Sequence, residues 1–111
     1  MSELINRMHR QDGLAVVIQN IAQWHHDRNL IDGSDDVAQL KKLREEINEL
    51  SYSVGKDLSP VDDIGDIVVV LINFCERYHL TLTECLYHAY NDIKDRTGKI
   101  NPVTGMWDKD L

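Results

Sequence analysis

The stretch Ser59-Pro60-Val61-Asp62-Asp63-Ile64-Gly65-Asp66-Ile67-Val68-Val69-Val70-Leu71-Ile72 decides how this chain folds. Its β-branched run reads at first as a buried strand. Its opening reads otherwise. Ser59 is a capping residue, Pro60 takes the first helical position, and an acid follows two residues later, which together mark a helix start. The segment therefore predicts a helix to about Tyr78. At about 100° per residue, Asp63 and Asp66 share a face with Val70 and Phe74, while the other apolar residues cover nearly the whole circumference. That is the pattern of a buried helix. A solvated acidic face is a poor account of Asp63 and Asp66, which should point into a bundle at its wetter end.

Three more helices are expected on either side. Ser34, followed by Asp35 and Asp36, is a capping residue with acids in the first turn. From there Val37, Leu40, Leu43, Ile47, Leu50 and Val54 recur at spacings of three and four as one apolar stripe, and Gly55 stops the helix. An earlier helix spans about 14–28, with Val17, Ile18, Ile21, Ala22 and Trp24 as its apolar positions, and 29–33 is a turn. Thr81-Leu82-Thr83-Glu84 is a capping box that opens a fourth helix, ending near Thr97-Gly98. The tail 99–111, with Asn101-Pro102 and Gly105, reads as an ordered turn or hairpin, or as a mobile flap. No repeat or linker interrupts the chain, so a single all-α domain over 1–111 with a four-helix core is expected.

Composition narrows the class. The 111 residues are 42% hydrophobic but only 6% aromatic, so aliphatic side chains must build a modest core. A net charge of −7 with no basic patch argues against nucleic acid as a partner. Cys75 and Cys85 lack metal-site spacing and read as thiols. The N-terminus has no signal-peptide pattern and the apolar run 67–72 is too short to span a bilayer, so no membrane and a cytoplasmic setting are the expectation. A helix apolar on all sides needs more cover than one small chain supplies, which predicts a homodimer or homotetramer with sites near subunit interfaces.

The second acidic cluster lies thirteen residues before Asp63: Glu45-Glu46-Ile47-Asn48-Glu49. Glu46 borders the apolar stripe, Glu49 lies one step further round, and Glu45 sits furthest out. Alone, such a run usually decorates a solvated surface. The paired aspartates on an apolar helix change the balance. If the two helices pack antiparallel through a short loop, Glu46, Glu49, Asp63 and Asp66 converge. Carboxylates without His or Cys suit a hard cation, Mg²⁺ or Mn²⁺. Ca²⁺ fits less well, because Asp32-Gly33-Ser34-Asp35-Asp36 reads as a turn and a helix cap.

With these motifs in place, the chain resembles the MazG-like all-α nucleoside triphosphate pyrophosphohydrolases of phage and bacterial type. The likeness rests on Gln39-Leu40-x-Lys42-Leu43, Glu45-Glu46-x-x-Glu49, Asp63-x-x-Asp66, the segment from Ala89 through Asn91, Lys94 and Arg96 to Lys99, and the ending Gly105-Met106-Trp107-Asp108-Lys109-Asp110. It covers about residues 14–111, in order. Asp63 stands where the family usually has Glu, one methylene longer. The resemblance implies Mg²⁺-dependent hydrolysis of a (deoxy)nucleoside triphosphate to monophosphate and pyrophosphate, in nucleotide-pool control. A dUTP-, dCTP- or purine-selective diphosphatase of the same fold fits the same motifs, and a non-catalytic helical binding module is the competing class.

The resemblance further implies that Glu46, Glu49, Asp63 and Asp66 hold the metal, and that Glu45 is an additional ligand or positions the attacking water. Lys94 and Arg96 are candidates for phosphate contact, or complement the helix dipole. Asn91 supports a phosphate or caps locally. Lys109 reaches the phosphates or is a solvated tail lysine. Trp107 stacks on a base or anchors the tail. Trp24 lines the nucleotide pocket or packs in the core. His25 and His26 are helix neighbours that cannot both face inward, and neither reads as a metal ligand.

Overall fold

The structure is a computed structural model that describes residues 13–111. These comprise helices α1 (Leu14–Asp27), α2 (Asp36–Gly55), α3 (Val61–Arg77) and α4 (Leu82–Ile93), then strands β1 (Gly98–Ile100) and β2 (Trp107–Lys109). The chain is mostly helical, with one small two-stranded sheet. Internal contacts group into two units, one up to Thr81 and one over Leu82–Leu111. No described helix is long and apolar enough to cross a membrane.

In the first unit α3 is the centre, with α1 and α2 both packed on it. The β-branched run is helical, and its Val70, Ile72 and Cys75 are the buried apolar core, but Pro60 stands at the N-cap instead of the first helical position and no side chain caps the helix. Asp62 and Asp63 in its first turn face the positive end of the helix dipole. α2 runs antiparallel to α3. At one end the Tyr78 hydroxyl donates to the Asp36 carboxylate. At the other, Glu46 and Glu49 meet Asp66.

The caps differ in detail from expectation. Asp35, not Ser34, caps α2: its carboxylate accepts from the Ala38 N–H at 2.7 Å. Ser34 instead accepts from the Gln39 side chain at 3.1 Å. Gly55 is the last residue of α2 rather than its stop. The stop is Asp57, in the left-handed region at φ 60°. α1 and α3 end the same way, on Asn29 and His79, both at φ 56°. In each case the next residue is leucine, and its N–H closes back on the helix: Leu30 on His25, Leu58 on Ser53, Leu80 on Cys75, at 2.8–2.9 Å. These are Schellman caps built on polar residues that tolerate positive φ. Gly33 follows from the first of them. A Cβ there would lie 2.4 Å from the Asn29 side chain, so the turn closes only around glycine.

A buried polar network fastens α1 and its turn to α3. The His25 Nε2–H donates to the Val69 carbonyl at 2.8 Å. Its Nδ1 then accepts from the Asn73 amide at 3.2 Å, and the same amide donates to the Leu30 carbonyl at 3.1 Å. Arg77 donates to Asn73 Oδ1 and to the carbonyls of Leu30 and Ile31, each at 2.8 Å. Carbonyls of the turn after α1 are thereby satisfied by α3 side chains.

The apolar stripe of α2 is wider than α3 covers. Leu43 and Leu50 are half-buried, whereas Val37, Leu40, Ile47 and Val54 stay exposed.

In the second unit α4 ends at Ile93, earlier than the Thr97-Gly98 signal predicts, because the chain then enters a hairpin. The tail is that hairpin, with Gly98 opposite Lys109 and Ile100 opposite Trp107. Asn101 Oδ1 accepts from the N–H groups of Val103 and Thr104 and sets the turn. The Trp107 indole lies across Gly98, where a Cβ would meet it at 2.4 Å. Trp107 thus anchors the tail.

Asn73 is fully buried. Asn73→Ala leaves His25 Nδ1 and the Arg77 Nε–H without a partner and removes one of the two donors to the Leu30 carbonyl, and should cost about 2–4 kcal/mol of unfolding free energy. Urea denaturation measures this, and a loss below about 0.5 kcal/mol would show that the network does not hold α1 on α3.

Candidate metal centre

Two helix faces meet at the site. On α2, Glu46 and Glu49 are one turn apart, and on α3 Asp66 faces them from the first half of the helix. One carboxylate oxygen from each lies within 4.8 Å of the other two. Among the described residues this is the group of acidic or His/Cys side chains able to share one ion. Asp63 is buried and lines the adjoining groove with Glu49. Glu45 is exposed, with its carboxylate 3.9 Å from the Lys42 ammonium.

Glu46 is the unusual member. It is only 4% exposed. Its Oε1 takes Lys42 Nζ at 3.0 Å. Its Oε2 is buried with no hydrogen-bond partner among the described residues. Taking a carboxylate out of water costs on the order of several kcal/mol. A pair with the half-exposed Lys42 returns roughly 0.2–1 kcal/mol. The lysine is therefore too small an offset for the charge gathered here.

The neighbours register that excess. The Glu46 carboxylate beside it pushes the Glu49 carboxyl above its usual range, with Asp63 adding to the effect. Burial pushes Asp66 up, and the charges of Asp62, Glu46 and Asp63 push it further. The hydrogen bond to Glu46 raises Lys42 in turn. An all-oxygen donor set that includes a buried carboxylate with one unpartnered oxygen fits a hard divalent cation.

Two grooves flank the cluster. One, of about 460 Å³, lies between α1 and α3 and is lined by Val17, Asn20, Ile21, Trp24, Asp66 and Val69. Trp24 is 42% exposed, and the Arg28 guanidinium covers one side of its ring at 4.5 Å from the centroid. The other groove, of about 400 Å³, lies between α2 and α3 and is lined by Asn48, Glu49, Tyr52, Ser53 and Asp63.

The remaining sequence candidates fall in the second unit. Arg96 is engaged by Asp92 at 2.7 Å. Asn91 and Lys94 are exposed around the end of α4, and Lys109 is exposed on β2. His25 is a core histidine, and His26 pairs with Glu76 at 2.9 Å.

Lys42 stands in the motif before the acids without a role of its own, and Asn20, Tyr52 and Ser53 stand in no motif. Lys42 had a signal, the four-residue spacing to Glu46. Asn20 had one too, lying one helical turn before Trp24. Tyr52 and Ser53 had none, because their relevance depends on how α2 turns against α3.

No family model and no solved structure matches the chain. A curated relative is an uncharacterized 18.2 kDa protein in the rep-hol intergenic region of Haemophilus phage HP1 (strain HP1c1), 41% identical over 69 residues. The match takes in 60% of this chain and 42% of that protein, so the chain spans about two fifths of the relative's length.

Because the Glu49 and Asp66 shifts are upward, protons and cations compete for the same oxygens. The stability these groups forfeit by ionising is absent at low pH and grows as pH rises through their raised values. Mg²⁺ at pH 7.5 is therefore expected to raise the melting temperature by at least about 4 °C when saturating, and by less at pH 5. Glu46→Gln should abolish the rise. Thermal scans with and without the ion check this, and an unchanged midpoint in the native chain would contradict the cation site.

Proposed function

We propose that this chain is a Mg²⁺-dependent nucleoside triphosphate pyrophosphohydrolase of the MazG-like kind. The observation that carries the reading is the buried Glu46 oxygen without a partner, inside a cluster completed by Glu49 and Asp66. The ordered motifs that resemble that family add to it. Mn²⁺ is an expected substitute for Mg²⁺.

In this reading Glu46, Glu49 and Asp66 hold the cation, and Asp63 supports it from the floor of the second groove. A divalent cation held there would supply charge neutralisation to the triphosphate and acidify a water. The water oxygen bonds to the α-phosphorus, the bond from that phosphorus to the bridging oxygen breaks, and pyrophosphate leaves with the electron pair. Glu45, exposed beside Lys42, is an additional ligand or positions the attacking water, whose proton passes to solvent. The groove with Trp24 receives the base. One side of the indole carries Arg28, and the Asn20 amide offers both a donor and an acceptor to a base edge.

The test is a panel of ribo- and deoxynucleoside triphosphates with Mg²⁺, read by monophosphate and pyrophosphate release. Glu49→Gln and Asp66→Asn should each lower kcat/KM at least about 100-fold, a loss of roughly 2.7 kcal/mol or more. Trp24→Ala should act chiefly on KM. No turnover with any nucleotide under Mg²⁺ or Mn²⁺ would refute the reading.

The same reading includes a second copy of the chain. The exposed stripe Val37, Leu40, Ile47 and Val54 on α2 supports a homodimer or homotetramer. Light scattering should give at least twice the monomer mass, and a monomeric mass at micromolar concentration would contradict it.

A further inference from the structure

We propose that the groove between α2 and α3 seats the pyrophosphate end of the substrate, and that Tyr52 and Lys56 position it. This rests on the nucleotide-hydrolysing reading above and adds to it the direction in which the substrate lies.

The argument starts from the contrast between the two grooves. Both touch the carboxylate cluster, one through Asp66 and the other through Glu49. A ligand held at the cluster therefore has two exits. The exit past Asp66 runs onto Val17, Ile21, Val69 and an indole ring, surfaces that suit a flat, largely apolar group. The exit past Glu49 is lined by Asn48, Tyr52 and Ser53, whose side chains carry an amide and two hydroxyls beside the Tyr52 ring. None of these three side chains is engaged in another hydrogen bond among the described residues. Uncharged donors of this kind suit phosphate oxygens.

Charge gives the direction a second support. The floor of this groove is acidic, with Glu49 and the buried Asp63. An anion is repelled there unless a cation stands between, and the orphaned Oε2 of Glu46 marks the place for one. Further out the sign changes. The Lys56 ammonium sits 6.0 Å from the centre of the Tyr52 ring, at the C-cap of α2. Along α2 the order is the carboxylates of Glu46 and Glu49, the neutral donors of Tyr52 and Ser53, then the Lys56 ammonium at the C-cap. A phosphate chain anchored through a cation at its inner end meets that order favourably along its length. The lysine is placed to take charge that grows on the leaving pyrophosphate as the bond to the α-phosphorus breaks. Tyr52 and Lys56 are positioning residues for the leaving group, supplied by the same unit as the carboxylates.

The test uses the full chain, with calorimetric titration of inorganic pyrophosphate in the presence of Mg²⁺, and of a nucleoside monophosphate as comparator. Tyr52→Phe and Lys56→Met change exposed side chains and should retain the wild-type circular dichroism spectrum. Each should weaken pyrophosphate binding about tenfold, leave Mg²⁺ binding alone unchanged, and leave the monophosphate affinity within about twofold. Trp24→Ala should do the reverse, weakening the monophosphate and sparing pyrophosphate.

Wild-type affinity for pyrophosphate in both variants would overturn the assignment. So would a loss of pyrophosphate binding in Trp24→Ala, or a wild-type chain that takes up Mg²⁺ but no pyrophosphate. A chain that shows the Tyr52- and Lys56-dependent affinity but hydrolyses no triphosphate would keep the groove assignment and remove the catalytic reading. A chain that turns over triphosphates with the two variants unchanged would keep the catalytic reading and remove the groove assignment.

Discussion

A carboxylate buried at the contact between α2 and α3, with one oxygen unpartnered, is the constraint around which the first unit is arranged. An interior acid of this kind is a net cost to the fold. Lys42 meets only one of its oxygens, from a half-exposed position. The fold adds to the burden instead of relieving it, since Glu49 and Asp66 bring further negative charge within 4.8 Å. Both of these respond by holding their protons more tightly. A chain that gathers acids against their mutual repulsion has its stability tied to whatever neutralises them.

The scaffold holds this arrangement from both ends of α3. Near its start, the α2–α3 contact brings the acids together. Along its second half, the Asn73 and Arg77 side chains bind the turn after α1, which sets α1 against α3 and forms the groove beside Asp66. His25 contributes through both ring nitrogens, its Nε2–H donating and its Nδ1 accepting. Loss of this network would therefore reach the Trp24 groove before it reached the carboxylates.

Much of this was legible in the residues and some was not. Pro60 distinguished helix from strand for the β-branched run, because its fixed φ is a local effect, although it stands at the N-cap and Ser59 does not cap the helix. The convergence of Glu46, Glu49 and Asp66 followed from helix period and antiparallel packing. The helix stops were readable in principle. Asn29-Leu30, Asp57-Leu58 and His79-Leu80 repeat one pattern, a polar residue that accepts positive φ followed by leucine, whereas attention to Gly55 misplaced the stop of α2. The lateral position of Asp63 was not readable. A rotation of α3 by a fraction of a turn decides whether its carboxylate joins the cluster or the groove, and periodicity does not fix rotation to that degree. The division of the α2 stripe was hidden for the same reason, since the sequence marks a wide apolar arc but not which half α3 covers.

The most direct test of the cation site is a crystal structure of the chain grown with Mn²⁺, with data collected at the manganese absorption edge. The expected result is an anomalous peak bonded to oxygens of Glu46, Glu49 and Asp66, with Glu46 Oε2 among the ligands. A map with no peak there, or with Glu46 Oε2 satisfied by a protein donor, would contradict the claim that a divalent cation completes this site.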